Sequence, residues 1–248
     1  MNDLISIVIP VYNAENFIKD TIENILQQTY TNWELILVDD NSKDNSASII
    51  EKYVCDKIKL IRLSKNSGPA NARNIGISYI KGKYLCFQDA DDLWEKEKLK
   101  KQLEFMKQKQ CAFSYTSFEY ADEHGKGNGK QVHIQEKLEY KEALKNIKIL
   151  TISVMLDTSK IPEKLLYMPD IDSEDVAMWW NLLKNGITAY GIDKVLVYYR
   201  RTKNSLTANK FKWCIKRWNL YRKFEKFSIL KSSYYFFNYA KNAVIKRI

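Results

Sequence analysis

The chain has 248 residues, 45% of them apolar and 28% charged, with a net charge of +10 at pH 7. That length and apolar content suit one or two packed domains and exclude a disordered chain. No apolar run approaches the ~18 residues of a membrane span. Cys55, Cys86, Cys111 and Cys214 are widely dispersed, which excludes a disulfide scaffold and, with only two histidines, a structural zinc site. A reducing, cytoplasmic compartment is expected. The start, Met1 to Ser6, has no basic segment, so no signal peptide is expected.

In chain order, the first 110 residues alternate strand-like and helix-like patterns. Ile5 to Ile9 is a β-branched run stopped by Pro10, and Leu35 to Val38, Ile58 to Ile61 and Tyr84 to Phe87 are similar. Each is too short for a helix and too continuous for a one-sided strand, as in a parallel sheet covered on both faces. Between them, Phe17, Ile18, Thr21, Ile22, Ile25 and Leu26 form a helical stripe with Asn13 as its cap. Ser42 or Asp44 caps a second helix carrying Ile49, Ile50 and Tyr53. Gly68-Pro69 opens a third that runs through Ala72, Ile75 and Tyr79 to Gly82, and a charged helix covers about 95–109. Successive βαβ units predict a doubly wound α/β domain with its ligand at the carboxyl ends of the strands. Residues 122–135, with Gly125, Gly127 and Gly129, read as a surface loop between two halves. A strand is expected from Ile149 to Leu156, a helix from Glu174 to Asn185, a strand from Val195 to Tyr199, and helices from about 209 to the end.

The strand ends are crowded with acids: Asp39-Asp40-Asn41-Ser42 after the second strand, and Gln88-Asp89-Ala90-Asp91-Asp92 after the fourth. Carboxylates so placed repel one another, and a divalent cation or a hydrogen-bonding ligand offsets that repulsion. A hard cation held by one or two carboxylates plus substrate phosphates is the usual Mg²⁺ arrangement, and Mn²⁺ behaves alike. Asp and Asn also cap turns, and Asp44 and Asp92 are read that way. Glu174 and Asp175 likewise suit the first turn of a helix, where acids meet the positive end of its dipole.

These residues resemble the bacterial family 2 glycosyltransferases, inverting enzymes of the GT-A fold. The matching blocks are Val8-Ile-Pro-Val-Tyr-Asn13, Glu34 to Ser42 with Asp44, Asn66-Ser-Gly-Pro-Ala-Asn-Ala-Arg-Asn-Ile-Gly76, Asp89-Ala-Asp-Asp92 and Glu174-Asp175. The resemblance covers about 3–200. It implies a GT-A domain over 1–208, with a nucleotide-binding half at 1–110 and an acceptor-binding half at 111–208. Asp39 would accept a hydrogen bond from uracil, and Pro10 and Tyr12 would line the base pocket. Arg73, Asp89 and Ala90 would flank the nucleotide, with Asp89 on the ribose, and Asp91 would ligate Mn²⁺ or Mg²⁺. Asp175 would be the general base with Glu174 beside it. Processive members carry a Q-x-x-R-W motif and transmembrane helices; here the corresponding helix reads Met178-Trp-Trp-Asn-Leu-Leu-Lys184, so a single transfer is expected. The donor-rich loop from Tyr199 to Thr207 is expected either to close over the diphosphate through Arg200 or Arg201 or merely to begin the membrane-facing patch.

Charge is unevenly distributed: residues 200–248 hold 14 Lys and Arg against the single acid Glu225. Two basic, aromatic-rich amphipathic helices at 209–248 are expected, lying on an anionic membrane surface, packing on the body, or doing both. The expected enzyme is cytoplasmic and peripheral on the inner face of the membrane. It uses a nucleotide-sugar donor, a UDP-sugar first, and a glycan or lipid-linked acceptor of surface-polysaccharide synthesis. A basic nucleic-acid-binding module is one rival reading, but the bases cluster in one terminal segment and no nucleic-acid-binding motif is present. A nucleotidyltransferase is the other. It would need a Gly- and Lys-rich phosphate loop after strand one, where Pro10-Val-Tyr-Asn-Ala14 stands.

Overall fold

The computed structural model describes residues 3–146, 148–201 and 210–245. Its first half is β1 (Ile5–Val11), α1 (Ile18–Leu26), β2 (Trp33–Asp39), α2 (Ser46–Glu51), β3 (Ile58–Arg62), α3 (Pro69–Ser78) and β4 (Tyr84–Phe87). Then come β5 (Leu93–Trp94), α4 (Lys98–Lys109), β6 (Phe113–Ala121), β7 (Gly127–Val132), β8 (Lys137–Leu138), α5 (Tyr140–Lys145) and β9 (Met155–Asp157). The chain continues through α6 (Glu174–Lys184), β10 (Ala189–Arg200), α7 (Lys210–Asn219), a π-helical turn at Leu220–Phe224, and α8 (Ile229–Ile245).

One mixed sheet runs through the molecule in the order β3-β2-β1-β4-β9-β6-β10-β5, with β7 on β6 and β8 on β10. The first four strands are mutually parallel. β9 is antiparallel to both β4 and β6. The period-2 geometry of strands divides the core in two. Ile5, Ile7, Ile9 and Val11 of β1 and Leu35 and Leu37 of β2 face the layer of α1 and α4. Val8, Ile36 and Val38 face α3 and α6. Both faces are covered, which is why these strands are largely apolar, with Ser6 of β1 donating to Glu34 of β2 at 2.7 Å as the buried polar pair near their starts. Helix α3 lies close on β1: a Cβ at Gly76 would stand 2.4 Å from a Val8 methyl.

On the α6 layer, Trp179 is fully buried between Phe87 and Phe113, with ring centroids 6.2 and 5.3 Å away. Trp180 stacks on Tyr221 at 5.3 Å, and Tyr221 stacks on Tyr235 at 6.1 Å. Leu220, Tyr221 and Phe227 are therefore part of the main core. The opposite side of α8 is bare: Leu230, Tyr234 and Phe237 are exposed and recur at helical spacing along one stripe. The C-terminal segment packs on the body with one face and leaves the other open. Among the described residues no helix is long and apolar enough to cross a membrane.

Four expectations need correction. The polar stretch 122–135 is not simply a loop, because 127–132 forms β7 on the edge strand side of β6. Its exposed, polar side chains hide a strand whose order comes from backbone pairing and from Glu119, which accepts the Gly129 N–H at 2.8 Å. The run from Ile149 to Leu156 is a 3₁₀ turn at Thr151–Ser153 followed by the short β9, its apolar residues dividing between the two cores. Asn13 does not cap α1, which starts at Ile18; it adopts φ +50° and its side chain accepts the Lys43 N–H at 2.8 Å, tying the β1 end to the β2 end. Helix α3 stops at Ser78, short of Gly82.

Candidate active site

Strands β1, β2 and β4 deliver their carboxyl ends to one edge of the sheet, beside the start of α3. An open cleft of about 410 Å³ lies there, in the crevice where doubly wound sheets bind ligands. Pro10, Tyr12, Phe17, Pro69 and Ala72 supply apolar walls; Asp40, Asn66, Arg73, Asp89 and Asp91 supply the polar ones, with Ala90 between the last two. Tyr12 is 51% exposed, so its ring is free to stack on a planar ligand. The cleft thus brings together Pro10, Tyr12, Arg73, Asp89, Ala90 and Asp91.

Of the two acids ending β2, Asp39 is buried, does not line the cleft, and accepts the Ser42 N–H at 3.3 Å. Asp40 faces the cleft and is fully engaged. It accepts the N–H groups of Ser67 and Gly68, both at 2.8 Å, and the Ser67 hydroxyl at 3.1 Å. Gly68 sits at φ +86°, a conformation glycine adopts without strain, and Pro69 takes the first helical position, where no N–H is needed. Asp40 is the clamp that sets the start of α3. Sequence reasoning missed it; the adjacent acid pair and the Gly-Pro start were its only signals.

Arg73, 6% exposed on α3, joins distant parts of the chain. Its Nη2 donates to Asp89 Oδ1 at 2.7 Å, after β4, and its Nη1 to Glu174 Oε1 at 3.0 Å, at the start of α6. Burial disfavours its charge, but Asp89 and Glu174 outweigh that and hold its pKa above the ordinary value. Glu174 is pushed up by burial and by Asp175, with Arg73 pulling the other way. Asp175 is oriented by Thr151, whose hydroxyl donates to Oδ2 at 2.9 Å. The loop before α6 is pinned to α3 as well, since Asn74 donates to the Met168 carbonyl and accepts the Met168 N–H, both at 2.8 Å.

Asp91 is raised to about 6, first by burial and then by the neighbouring charge of Asp89. Asp92 is also raised, by burial and by Asp91 and Asp89. It does more than form a turn: its Oδ1 accepts the Arg200 N–H at 2.7 Å and anchors the end of β10. Arg200 is buried with its guanidinium over the Phe17 ring, 3.8 Å from Asp20, and none of its side-chain nitrogens has a hydrogen-bond partner. Arg201 lies elsewhere, exposed and stacked over Tyr120 at 4.3 Å, because successive strand residues point to opposite faces. Residues 202–207 of that expected loop lie outside the described residues.

The donor set fits a divalent cation. Three carboxylates crowd one turn, two with raised pKa values, and Asp92 Oδ2 is buried without a partner. Among the described residues no three His, Cys, Asp or Glu side chains form a ready cage, and a cation shared with substrate phosphates needs none.

This mixed sheet, with acids at the ends of β2 and β4 and a further acid pair at the α6 start, has the GT-A fold of solved glycosyltransferases. The mannosyltransferase PcManGT of Pyrobaculum calidifontis, solved with GDP-Man and Mn²⁺, superposes with a TM-score of 0.71 over 97% of this chain and 73% of its own, at 16% identity. Residues 1–349 of Staphylococcus aureus TarS, solved with UDP-GlcNAc, give 0.68 over 81% of this chain and 59% of that one, at 22% identity. Residues 6–160 match glycosyl transferase family 2, and the chain belongs to that family. A Bacillus subtilis protein named for teichuronic acid biosynthesis, TuaG, is 41% identical over 99% of this chain and 98% of its own. WfgD of Escherichia coli is 34% identical over 95% of this chain and 92% of its own. Its name describes a UDP-Glc:α-D-GlcNAc-diphosphoundecaprenol β-1,3-glucosyltransferase. The protein is a glycosyltransferase enzyme whose relatives act in polysaccharide biosynthesis. Neither rival reading finds support among them.

Proposed function

We propose that the enzyme moves a hexose, with inversion, from a UDP-sugar to a hydroxyl of a lipid-linked glycan. The observation that carries this reading is the chain Asp89–Arg73–Glu174, which locks the nucleotide cleft to the acid pair at α6. Pro10 and Tyr12 hold the uracil, and Asp89 binds the ribose, with Ala90 lining the same wall; Asp39, which does not line the cleft as it stands, accepts the uracil N–H only by turning from the Ser42 N–H that it now accepts. Asp91 holds Mn²⁺ or Mg²⁺, which when bound supplies positive charge to the departing diphosphate. Arg200, whose guanidinium makes no hydrogen bond and only a 3.8 Å ion contact with Asp20, turns to the phosphate oxygens.

Asp175 takes the proton from the attacking hydroxyl while Thr151 holds the carboxylate in place. The oxygen then bonds to the anomeric carbon as the bond to the diphosphate breaks. Such a positioned base contributes about 10²–10⁴-fold in rate. The nucleotide-binding part is assigned to 1–110 and the acceptor-binding part to 111–208. Residues 209–248 place the enzyme peripherally on the inner face of the membrane. There the exposed Leu230, Tyr234 and Phe237 enter the interface and the surrounding lysines meet anionic headgroups.

The test is transfer from UDP-glucose to GlcNAc-diphosphate on a short lipid, with the product anomer read by NMR. The α-linked donor is expected to give a β-linked product, and Asp175→Asn to lose 10²-fold or more. An α-linked product, or an Asp175→Asn enzyme within threefold of wild type, contradicts the reading.

A further inference from the structure

A second cavity, of about 420 Å³, lies between the loop ahead of α6 and the C-terminal segment. It is lined by Ile171, Asp172, Asn219, Lys223, Phe224 and Lys226. One side of it is the π-helical turn at Leu220–Phe224, a rare geometry that concentrates at functional sites. Lys226 sits at φ +55°, a left-handed conformation unfavourable to a side chain that carries a Cβ. Its neighbours impose it: Glu225 is buried and pairs with Lys184 at 2.8 Å, and Phe227 is buried in the core. Among the described residues neither Lys223 nor Lys226 has a carboxylate partner, whereas Lys216 nearby pairs with Asp172 at 3.1 Å. The cavity therefore carries two lysines without a direct carboxylate partner on a shaped backbone, and the one acid that lines it, Asp172, is held by Lys216.

Two features say what fits it. Ile229 and Leu230 stand three and four residues after Lys226 and are 64% and 85% exposed, opening the apolar stripe of α8. On the other side, Asp172 stands three residues before Asp175, in the loop that Asn74 pins to the donor cleft through Met168. An anion in this cavity would sit between an apolar surface and the acid pair. We infer that the cavity binds the diphosphate of the acceptor, with Lys223 and Lys226 on its oxygens and the lipid chain running onto Ile229 and Leu230. This deepens the reading above and rests on its lipid-linked acceptor. The ligand class is an apolar-chain diphosphate, set apart from free diphosphate by its chain.

The test is calorimetric titration of the full chain, saturated with UDP and Mn²⁺ so that the donor cleft is filled, with farnesyl diphosphate and separately with inorganic pyrophosphate. Farnesyl diphosphate is expected to bind at least tenfold tighter than pyrophosphate. Lys223→Ala with Lys226→Gly is expected to weaken it at least tenfold, with UDP affinity within twofold of wild type. Glycine suits the backbone at 226, so this variant keeps its fold. Equal binding of the two ligands, or farnesyl diphosphate binding unchanged in the double variant, overturns the inference. Failure of UDP itself to bind would instead strike the donor-site reading, which keeps the two failures distinct.

Discussion

Arg73 and Glu174, 101 residues apart in the chain, meet at 3.0 Å with the arginine side chain 7% exposed and the glutamate 17%. Removing a partner from a buried pair strands the other charge, and here Arg73 serves two acids. Arg73→Ala should cost about 3 kcal/mol of stability and abolish nucleotide binding. Arg73→Lys should recover little, because an ammonium cannot reach both acids as the guanidinium fork does. Denaturant unfolding and UDP titration of both variants check this.

Glu174 also sets a pH dependence. Its folded pKa is raised, chiefly by burial and next by Asp175, so the native state holds its proton where the unfolded chain has released it. Its contribution is fully present below the unfolded value near 4.3 and is lost as pH rises through the folded value. The stability of wild type relative to Glu174→Gln should therefore fall across that window, by at most about 1.4 kcal/mol per pH unit. A difference that grows with pH would contradict the assignment.

Asp40 should matter through backbone order. Asp40→Ala leaves the Ser67 and Gly68 N–H groups without their acceptor, at about 1–3 kcal/mol, and loosens the start of α3 that carries Arg73. Weaker UDP binding and faster amide hydrogen exchange at 67–68 are the expected results.

The C-terminal segment divides into two kinds of position. Tyr221→Ala removes a buried ring stacked on Trp180 and its hydrogen bond to the Leu144 carbonyl, and should cost about 3–5 kcal/mol. Ending the chain at residue 208 should leave it insoluble, since Leu220 and Phe227 leave the core with the segment. Leu230→Glu with Phe237→Glu should unfold at the same temperature as wild type and lose affinity for anionic vesicles in flotation.

What the sequence made legible follows from range and burial. The runs Ile7 to Ile9, Leu35 to Val38 and Tyr84 to Phe87 were readable because both faces are covered and every residue in them is apolar. Asp89 and Asp91 stood out because acids rarely crowd a strand end. The meeting of Arg73 with Glu174 was not readable, because it depends on α3 and α6 packing on the same face. Asp92 looked like an ordinary turn residue, and only the end of β10 shows what its carboxylate holds. β7 escaped because an edge strand takes its order from backbone pairing and needs no apolar pattern. The C-terminal aromatics gave composition but not direction; packing shows which face the body takes.

The most direct test of the central claim is calorimetric titration of the full chain with UDP, GDP, CDP and dTDP, each with Mn²⁺ and again with EDTA, in wild type and Asp91→Asn. Binding of UDP that requires the metal and disappears in Asp91→Asn is the predicted result. Binding of no nucleotide, or UDP binding indifferent to both EDTA and Asp91→Asn, would contradict a metal-assisted donor site in the cleft at the ends of β1, β2 and β4.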